Sequence, residues 1–418
     1  MNFFKKNTLT KREHFIIILI LGALTTVSPF SIDMYLPAFP AMAVDLHTSV
    51  SNIQLSLTSY FIGISVGQLL YGPLLDRFGR RKPLFIGLTV YVMASLGCAL
   101  IYSIHVLIGM RFLQALGGCV GLVASRALVR DLFPVSQTAK IFSSLLLVLA
   151  VSPLLAPTIG GYVTIAFGWH IIFIILAVIC LIIMVACYKL LPEGREADRG
   201  ISLKPNAILS NFLLVFKQPQ FFTYSLCGSI ASAITYAYIA GSPDVFLNIY
   251  KVNPKYYGWI FAFVAVGIIG SSQLNTLFLR WYSSRQLIVR GLIWQMIIGG
   301  FLIMGSLNGW YGVNGLISMI FLLMCGQGFT IPNSSALSLL PFSRHTGSAS
   351  ALLGAMQLAM GALASGIVSL LHNGTELPML IVMAACVVIS FLLYLLGTRR
   401  SNKVANDHFT AGLPSPIL

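Results

Sequence analysis

The chain has 418 residues, of which 57% are hydrophobic and 9% charged, and its mean hydropathy is +0.88. An average soluble domain carries about 25% charged residues, so this composition excludes a chain designed for water, and apolar stretches able to cross about 30 Å of hydrocarbon follow one another almost without pause. The net charge of +15 does not indicate a nucleic-acid partner, because Lys and Arg are dispersed over short loops instead of gathered on one solvated face.

Lys5, Lys6, Lys11 and Arg12 precede an apolar run from Phe15, and Ala41-Met42-Ala43 imitates a signal cleavage site. The run is too long for a signal h-region and the imitation lies too far along the chain, so the segment reads as an uncleaved first membrane helix. Apolar windows predict helices over 15–36, 52–75, 83–103, 105–130, 138–165 and 170–191, then 220–247, 256–279, 286–306, 312–335, 346–371 and 377–397. The longest polar stretch, Pro192 to Gln218, contains Glu193, Arg195, Glu196, Asp198, Arg199 and Lys204. The expected organisation is a six-helix bundle over 1–191, a cytoplasmic linker over 192–218, a second six-helix bundle over 219–397 and a cytoplasmic tail over 398–418.

Positively charged loops stay in the cytoplasm. All but three of the 26 Lys and Arg fall at the N-terminus, in the loops after even-numbered helices, or in the tail; Lys251 and Lys255 lie on the opposite side and Arg111 within a membrane segment. An even number of spans with both termini cytoplasmic fits this division. The halves also echo one another: residues 74–82 align with 277–285, placing Arg77 opposite Arg280 and Lys82 opposite Arg285, and Ser28-Pro29 has a counterpart in Ser242-Pro243. Such repetition is expected where substrate binds between two bundles that rock about it. The seven Cys fall in apolar segments without a CxxC pair and read as helix-packing residues.

The loop Gly72-Pro73-Leu74-Leu75-Asp76-Arg77-Phe78-Gly79-Arg80-Arg81-Lys82 resembles the G-x-L-x-D-R-x-G-R-R/K loop of the major facilitator superfamily. The resemblance implies an all-α membrane protein of the major facilitator fold, with twelve transmembrane helices in two six-helix bundles. Gly72 allows close helix approach, Gly79 a tight turn, and the arginines can pair with acids, Asp131 being the natural partner of Arg80 or Arg77. Topology alone requires basic residues but not Asp76 and two glycines, so Gly72, Asp76, Arg77, Gly79, Arg80, Arg81 and Asp131 are read as a cytoplasmic latch that breaks during turnover. Arg111, Gln114, Gly117 and Gly118 are similar to the superfamily's R-x-x-Q-G signature, with one extra residue before the first glycine. An Arg inside a span costs about 2.5–3.5 kcal/mol on insertion scales and marks a functional position. Ser152-Pro153-Leu154-Leu155-Ala156-Pro157-Thr158-Ile159-Gly160-Gly161 resembles the antiporter signature G-x-x-x-G-P-x-x-G-G; Ser152, Ala156 and Gly160 share a face, and Pro153 and Pro157 bend the helix.

Eleven carboxylates are few enough to place one by one. Most fall in loops or at helix ends, leaving Asp33 and Asp244, and Asp33 lies deep enough in helix 1 to load and release a proton within the membrane. At 1.5 Å per residue Asp33 is about 27 Å from the start of helix 1, and Arg111 lies about 20 Å above the cytoplasmic edge of helix 4, so the two are expected within reach. Asp33 and Arg111 are therefore the expected proton-coupling pair, with a cationic substrate competing with the proton for one carboxylate. Phe30, Met34, Tyr35, Gln114, Tyr236, Tyr238, Phe246 and Met356 are the expected substrate contacts in an adaptable apolar cavity.

No His pair has metal-ligand spacing and no P-loop is present, so neither a metal nor ATP is implied and no cofactor is expected. No paired carboxylates or nucleophile–base constellation suggests an enzyme. The Ser28–Pro40 segment, Arg126-Ala127-Leu128-Val129-Arg130-Asp131 and the helix 5 motif together are similar to the Bcr/CflA drug-resistance transporters; that family's Trp-Arg before helix 6 is Trp169-His170 here. The resemblance implies a monomeric, proton-coupled exporter of small amphipathic drug-like molecules such as bicyclomycin, chloramphenicol or sulfonamides, spanning the lipid bilayer of a bacterial inner membrane. A proton symporter or facilitator for a small metabolite is the alternative on the same scaffold.

Overall fold

The computed structural model describes residues 11–410 apart from 195, 196, 199, 201, 202 and 343–345; Lys5, Lys6, Arg195, Glu196, Arg199 and the last eight residues of the expected tail lie outside the described residues. Every regular element among the described residues is helical, as required where lipid offers the backbone no hydrogen-bond partner. The first helices are α1 (Lys11–Asp33), α2 (Phe39–Asp45), α3 (Val50–Phe78), α4 (Arg81–Ala99), α5 (Ile104–Leu132), α6 (Val135–Phe167) and α7 (His170–Leu190). They are followed by α8 (Pro205–Phe216), α9 (Pro219–Pro243), α10 (Pro254–Phe278), α11 (Ser284–Leu307), α12 (Val313–Cys325), α13 (Gln327–Leu339), α14 (Thr346–Leu370) and α15 (Leu377–Thr410).

Local chemistry sets the ends. The Ser49 hydroxyl accepts the Asn52 amide at the start of α3, and Ser283 with Gln286 forms a reciprocal capping box on α11. Gly79 and Gly168 end α3 and α6 with φ of 79° and 82°, a left-handed region open to glycine at little cost. Among the described residues eleven helical stretches are long and apolar enough to cross a membrane, α1 with α2 and α12 with α13 each counting once. The twelfth span is α9, whose 25 residues reach about 37 Å. Its Ser, Thr, Tyr and Gly dilute its apolarity, and its Ser and Gly residues are buried where α9 packs on α13, α14 and α15.

The chain divides into two compact units, Met1–Lys204 with Phe246–Ala262, and Pro205–Val245 with Phe263–Leu418. Part of the segment expected as a linker thus forms α8, whose Val215 joins Phe221, Ala349 and Leu353 in a buried cluster of the second unit. In the first unit α5 is the central helix, packed on α3, α4 and α1. Small residues permit this: a methyl group added at Gly117 would lie 2.6 Å from the Gly87 carbonyl of α4, and one at Gly63 2.7 Å from the Ala115 side chain. In lipid such close backbone approach supplies the packing that burial from water supplies elsewhere.

Two predicted helices are broken. Helix 1 stops at Asp33 and continues as a 3-10 turn over Leu36–Ala38 and then α2, because Pro37 and Pro40 cannot donate to a continuing ladder. Helix 10 divides at Gly326 between α12 and α13. There Gly326 N–H turns to the Leu323 carbonyl at 3.2 Å, and α11 reaches across: the Trp294 indole donates to the Leu322 carbonyl at 2.7 Å and the Gln295 amide to the Leu323 carbonyl at 3.3 Å.

Candidate functional site: a buried carboxylate, a caged arginine and an ion-pair cluster

Residues Ser31 to Phe39 are buried without interruption through the break that follows α1. Asp33 is 5% exposed, and its Oδ2 accepts the Ser152 hydroxyl of α6 at 3.4 Å. The stripe on α6 is built against this break. Ser152 and Ala156 have no exposed surface, and a Cβ at Gly160 would lie 1.8 Å from the Met34 carbonyl oxygen. Only a residue without a side chain lets α6 approach that carbonyl. Pro153 and Pro157 lie inside α6, and Gly161 is buried beside Gly160. The small-residue face thus seats the carboxylate-bearing turn.

Arg111 has no exposed surface. One guanidinium nitrogen donates to the Ser31 carbonyl at 2.9 Å and another to Gln114 Oε1. Its centre lies 4.2 Å from the Tyr35 ring centroid, 4.1 Å from that of Tyr60 and 5.7 Å from that of Phe173. Electron-rich ring faces attract a cation, each by about 0.5–2 kcal/mol, and together with the carbonyl and amide they offset the cost of holding the charge within the span. Gln114 donates onward to Ser95 at 2.7 Å, and the Ser31 hydroxyl bonds that of Tyr91. Arg111 is therefore tied to the backbone of α1 two residues before Asp33, and no ion pair joins the two side chains in this conformation.

At the other end of the first unit, Arg80 is 6% exposed and bridges two acids. Its Nε lies 2.6 Å from Asp131 Oδ2, its Nη2 donates to Asp131 Oδ1 at 3.4 Å, and its Nη1 lies 2.6 Å from Asp76 Oδ1. Burial alone would weaken the proton affinity of Arg80, but the hydrogen bonds and charges of Asp131 and Asp76 outweigh it and raise its pKa above the ordinary value. The backbone of the segment after α7 closes over this cluster: Asp198 N–H bonds the Asp76 carbonyl at 3.1 Å, and a Cβ at Gly194 would lie 2.8 Å from Arg80 Cγ. Arg77 lies over the neighbouring Phe78 ring, and Arg81 donates to the Tyr188 carbonyl on α7 at 2.9 Å. The close approach expected at Gly72 is not made, since an added Cβ there would meet nothing within 4 Å.

The expected substrate contacts are dispersed. Phe30 lines a cavity of about 280 Å³ with Thr26 and Val27 of α1, Tyr91 of α4, and Leu176 and Ile179 of α7. Met34, Tyr35, Tyr238 and Phe246 are at most 2% exposed. Tyr35 instead packs on Arg111, and Gln114 is committed to Arg111 and Ser95. Tyr236 packs on Gly361, and Met356 against the cluster around Val215. Tyr60, Phe173 and Ser95 were missing from the predicted site because their helices lie far apart in the chain; their own neighbourhoods read as ordinary apolar helix.

Comparison with known proteins sets this geometry in context. Residues 21–365 match the family model described as Major Facilitator Superfamily. The chain is 34% identical over 394 residues to a "Bicyclomycin resistance protein homolog" of Haemophilus influenzae, covering 94% of this chain and 98% of that protein. It is 28% identical to a "Chloramphenicol resistance protein" of Pseudomonas aeruginosa, covering 95% and 94%, and 27% identical to "Multidrug resistance protein D" of Escherichia coli strain K12, covering 84% and 87%. The fold is shared with a crystallised bacterial homolog of the human lysosomal transporter Spinster, at a TM-score of 0.74 and 14% identity, over 94% of this chain and 98% of that one.

Proposed function

Because the chain belongs to the Major Facilitator Superfamily, and is thus a multi-pass membrane transporter and not an enzyme, we propose that it is a proton-coupled multidrug exporter of the bacterial inner membrane. Both termini face the cytoplasm, and small amphipathic toxic molecules leave by alternating access in exchange for protons. The names of the relatives, resistance proteins for bicyclomycin and chloramphenicol among them, support a drug-like substrate.

The observation that carries the reading is a carboxylate 5% exposed inside a membrane span, with a serine hydroxyl as its hydrogen-bond partner. Such a group is costly as an anion and functional by default. In this cycle Asp33 takes a proton from the outer side and carries it as a neutral carboxyl. When it releases the proton, its new charge draws on Arg111, whose bond to the Ser31 carbonyl transmits the pull to α1, and a cationic or polar drug competes for the same carboxylate. The Arg80–Asp76–Asp131 cluster holds the cytoplasmic end until that pull is exerted, and its breaking opens the path.

The test is drug-induced proton release from the purified protein, using chloramphenicol as the probe in weakly buffered detergent. The native protein should release protons on drug addition, and Asp33→Asn should melt at the native temperature yet release none. Equal release from both proteins would dismiss Asp33 as the carrier.

A further inference from the structure

Among the described residues, each unit contains one histidine–carboxylate contact that the proposed cycle leaves unused. In the first unit Asp45 is the last residue of α2 and His170 the first of α7, with His170 Nε2 3.7 Å from Asp45 Oδ2. The same oxygen accepts the Trp169 indole N–H at 2.9 Å, and the Trp169 and His170 rings stack with centroids 3.6 Å apart. His170 Nε2 is itself buried and has no hydrogen-bond partner among the described residues, so what it offers Asp45 is charge. In the second unit Asp244, its side chain 8% exposed, opens the π-helical turn Asp244–Ile249 that follows α9. His372, in the loop between α14 and α15, places Nδ1 3.1 Å from Asp244 Oδ2.

The two contacts join corresponding elements at different positions, since the echo of Ser28-Pro29 in Ser242-Pro243 sets Asp244 opposite Phe30. In each unit the acid follows the first span and the histidine stands at or just before the start of the last, so one chemical pair ties the same two elements twice. Conserved topology alone would not require it, since any apolar contact can close the end of a bundle. Around His170 the other titratable group in ring contact is Tyr102, at a centroid distance of 6.0 Å. Four residues after His372 in the chain, Glu376 Oε1 accepts the Ser306 hydroxyl of α11 at 2.7 Å.

We propose that Asp45–His170 and Asp244–His372 are a matched pair of proton-sensitive clasps, tight when the imidazoles are charged and slack when they are neutral, through which external pH sets how readily the outer end of each unit opens. Imidazole is the side chain whose charge changes between about pH 5 and 8. With both imidazoles protonated each clasp is an ion pair. On deprotonation the first loses its charge contact and keeps only the Trp169 indole bond to Asp45, while the second retains at most a neutral hydrogen bond, which is weaker than its charge-assisted form. The assignment of the clasped ends to the outer face rests on the orientation proposed above; the clasping itself does not.

Hydrogen–deuterium exchange on the full-length protein in detergent tests the clasps directly, because it needs no transport. After correction for the intrinsic pH dependence of exchange, peptides covering 40–50, 244–250 and 370–377 should exchange about three- to fivefold faster at pH 8 than at pH 5.5. His170→Gln and His372→Gln should make their own segment fast at both values, and His170→Lys and His372→Lys slow at both. Asp33→Asn should keep the native response, so that a failed transport mechanism and a failed clasp are read separately. A native protein with equal corrected exchange at the two pH values, or Gln variants that still respond to pH, would overturn the proposal.

Discussion

Gly160→Ala is the sharpest perturbation of the proposed coupling site, because the structure gives its size. The new methyl would start 1.8 Å from the Met34 carbonyl oxygen, whereas real Cβ atoms essentially never come within 3.0 Å of a neighbour, so α6 and the turn after α1 must part by about 1.2 Å. The Ser152–Asp33 hydrogen bond is already 3.4 Å long and does not survive such a displacement. Overpacking of this kind costs about 1–3 kcal/mol, and the lost hydrogen bond to the carboxyl about another 1 kcal/mol. The assay pairs thermal unfolding of the purified protein with drug-induced proton release: Gly160→Ala should melt earlier and release fewer protons per drug, while Ser152→Ala should lose coupling with a smaller change in melting. A Gly160→Ala protein that melts and couples as the native one does would refute the claim that α6 seats the carboxylate-bearing turn.

Asp131→Asn removes the charge opposite Arg80 while keeping its size; after discounting for the part-exposed Asp76 partner, the loss should be about 1–2 kcal/mol, read as a lower unfolding temperature together with impaired turnover. Unchanged melting and full transport would remove the latch. Arg111→Lys keeps the charge but not the planar group lying against Tyr35 and Tyr60, so it should destabilise by about 1–3 kcal/mol. Equal melting of the Lys variant would show that charge alone, without the aromatic faces, suffices at this position.

The span pattern was legible because apolar runs and their breakers are local signals. The pairing of Arg80 with Asp131 was legible because Arg80 belongs to a recognisable loop and Asp131 is one of very few acids in the chain. Nothing local announces the cage around Arg111: Tyr35, Tyr60 and Phe173 belong to three separate parts of the chain and meet only through packing. The break after Asp33 had a signal in Pro37 and Pro40 that the apolar window smoothed over, and Gly326-Gln327-Gly328 was overlooked in the same way. α8 was hidden for the opposite reason, since averaging over the polar stretch from Pro192 masked the apolar residues of Pro205–Phe216.

The break at Gly326 has a mechanical consequence. A bent span ordinarily leaves carbonyl oxygens facing a solvent that cannot hydrate them, at several kcal/mol each. Here the indole of Trp294 and the amide of Gln295 take over from the missing backbone donors, so the two halves of the span are joined like segments of a jointed rod whose pin is supplied by its neighbour. Flexing at that joint exposes no bare oxygen to lipid as long as α11 moves with it, which makes α11 and the joint a single moving part.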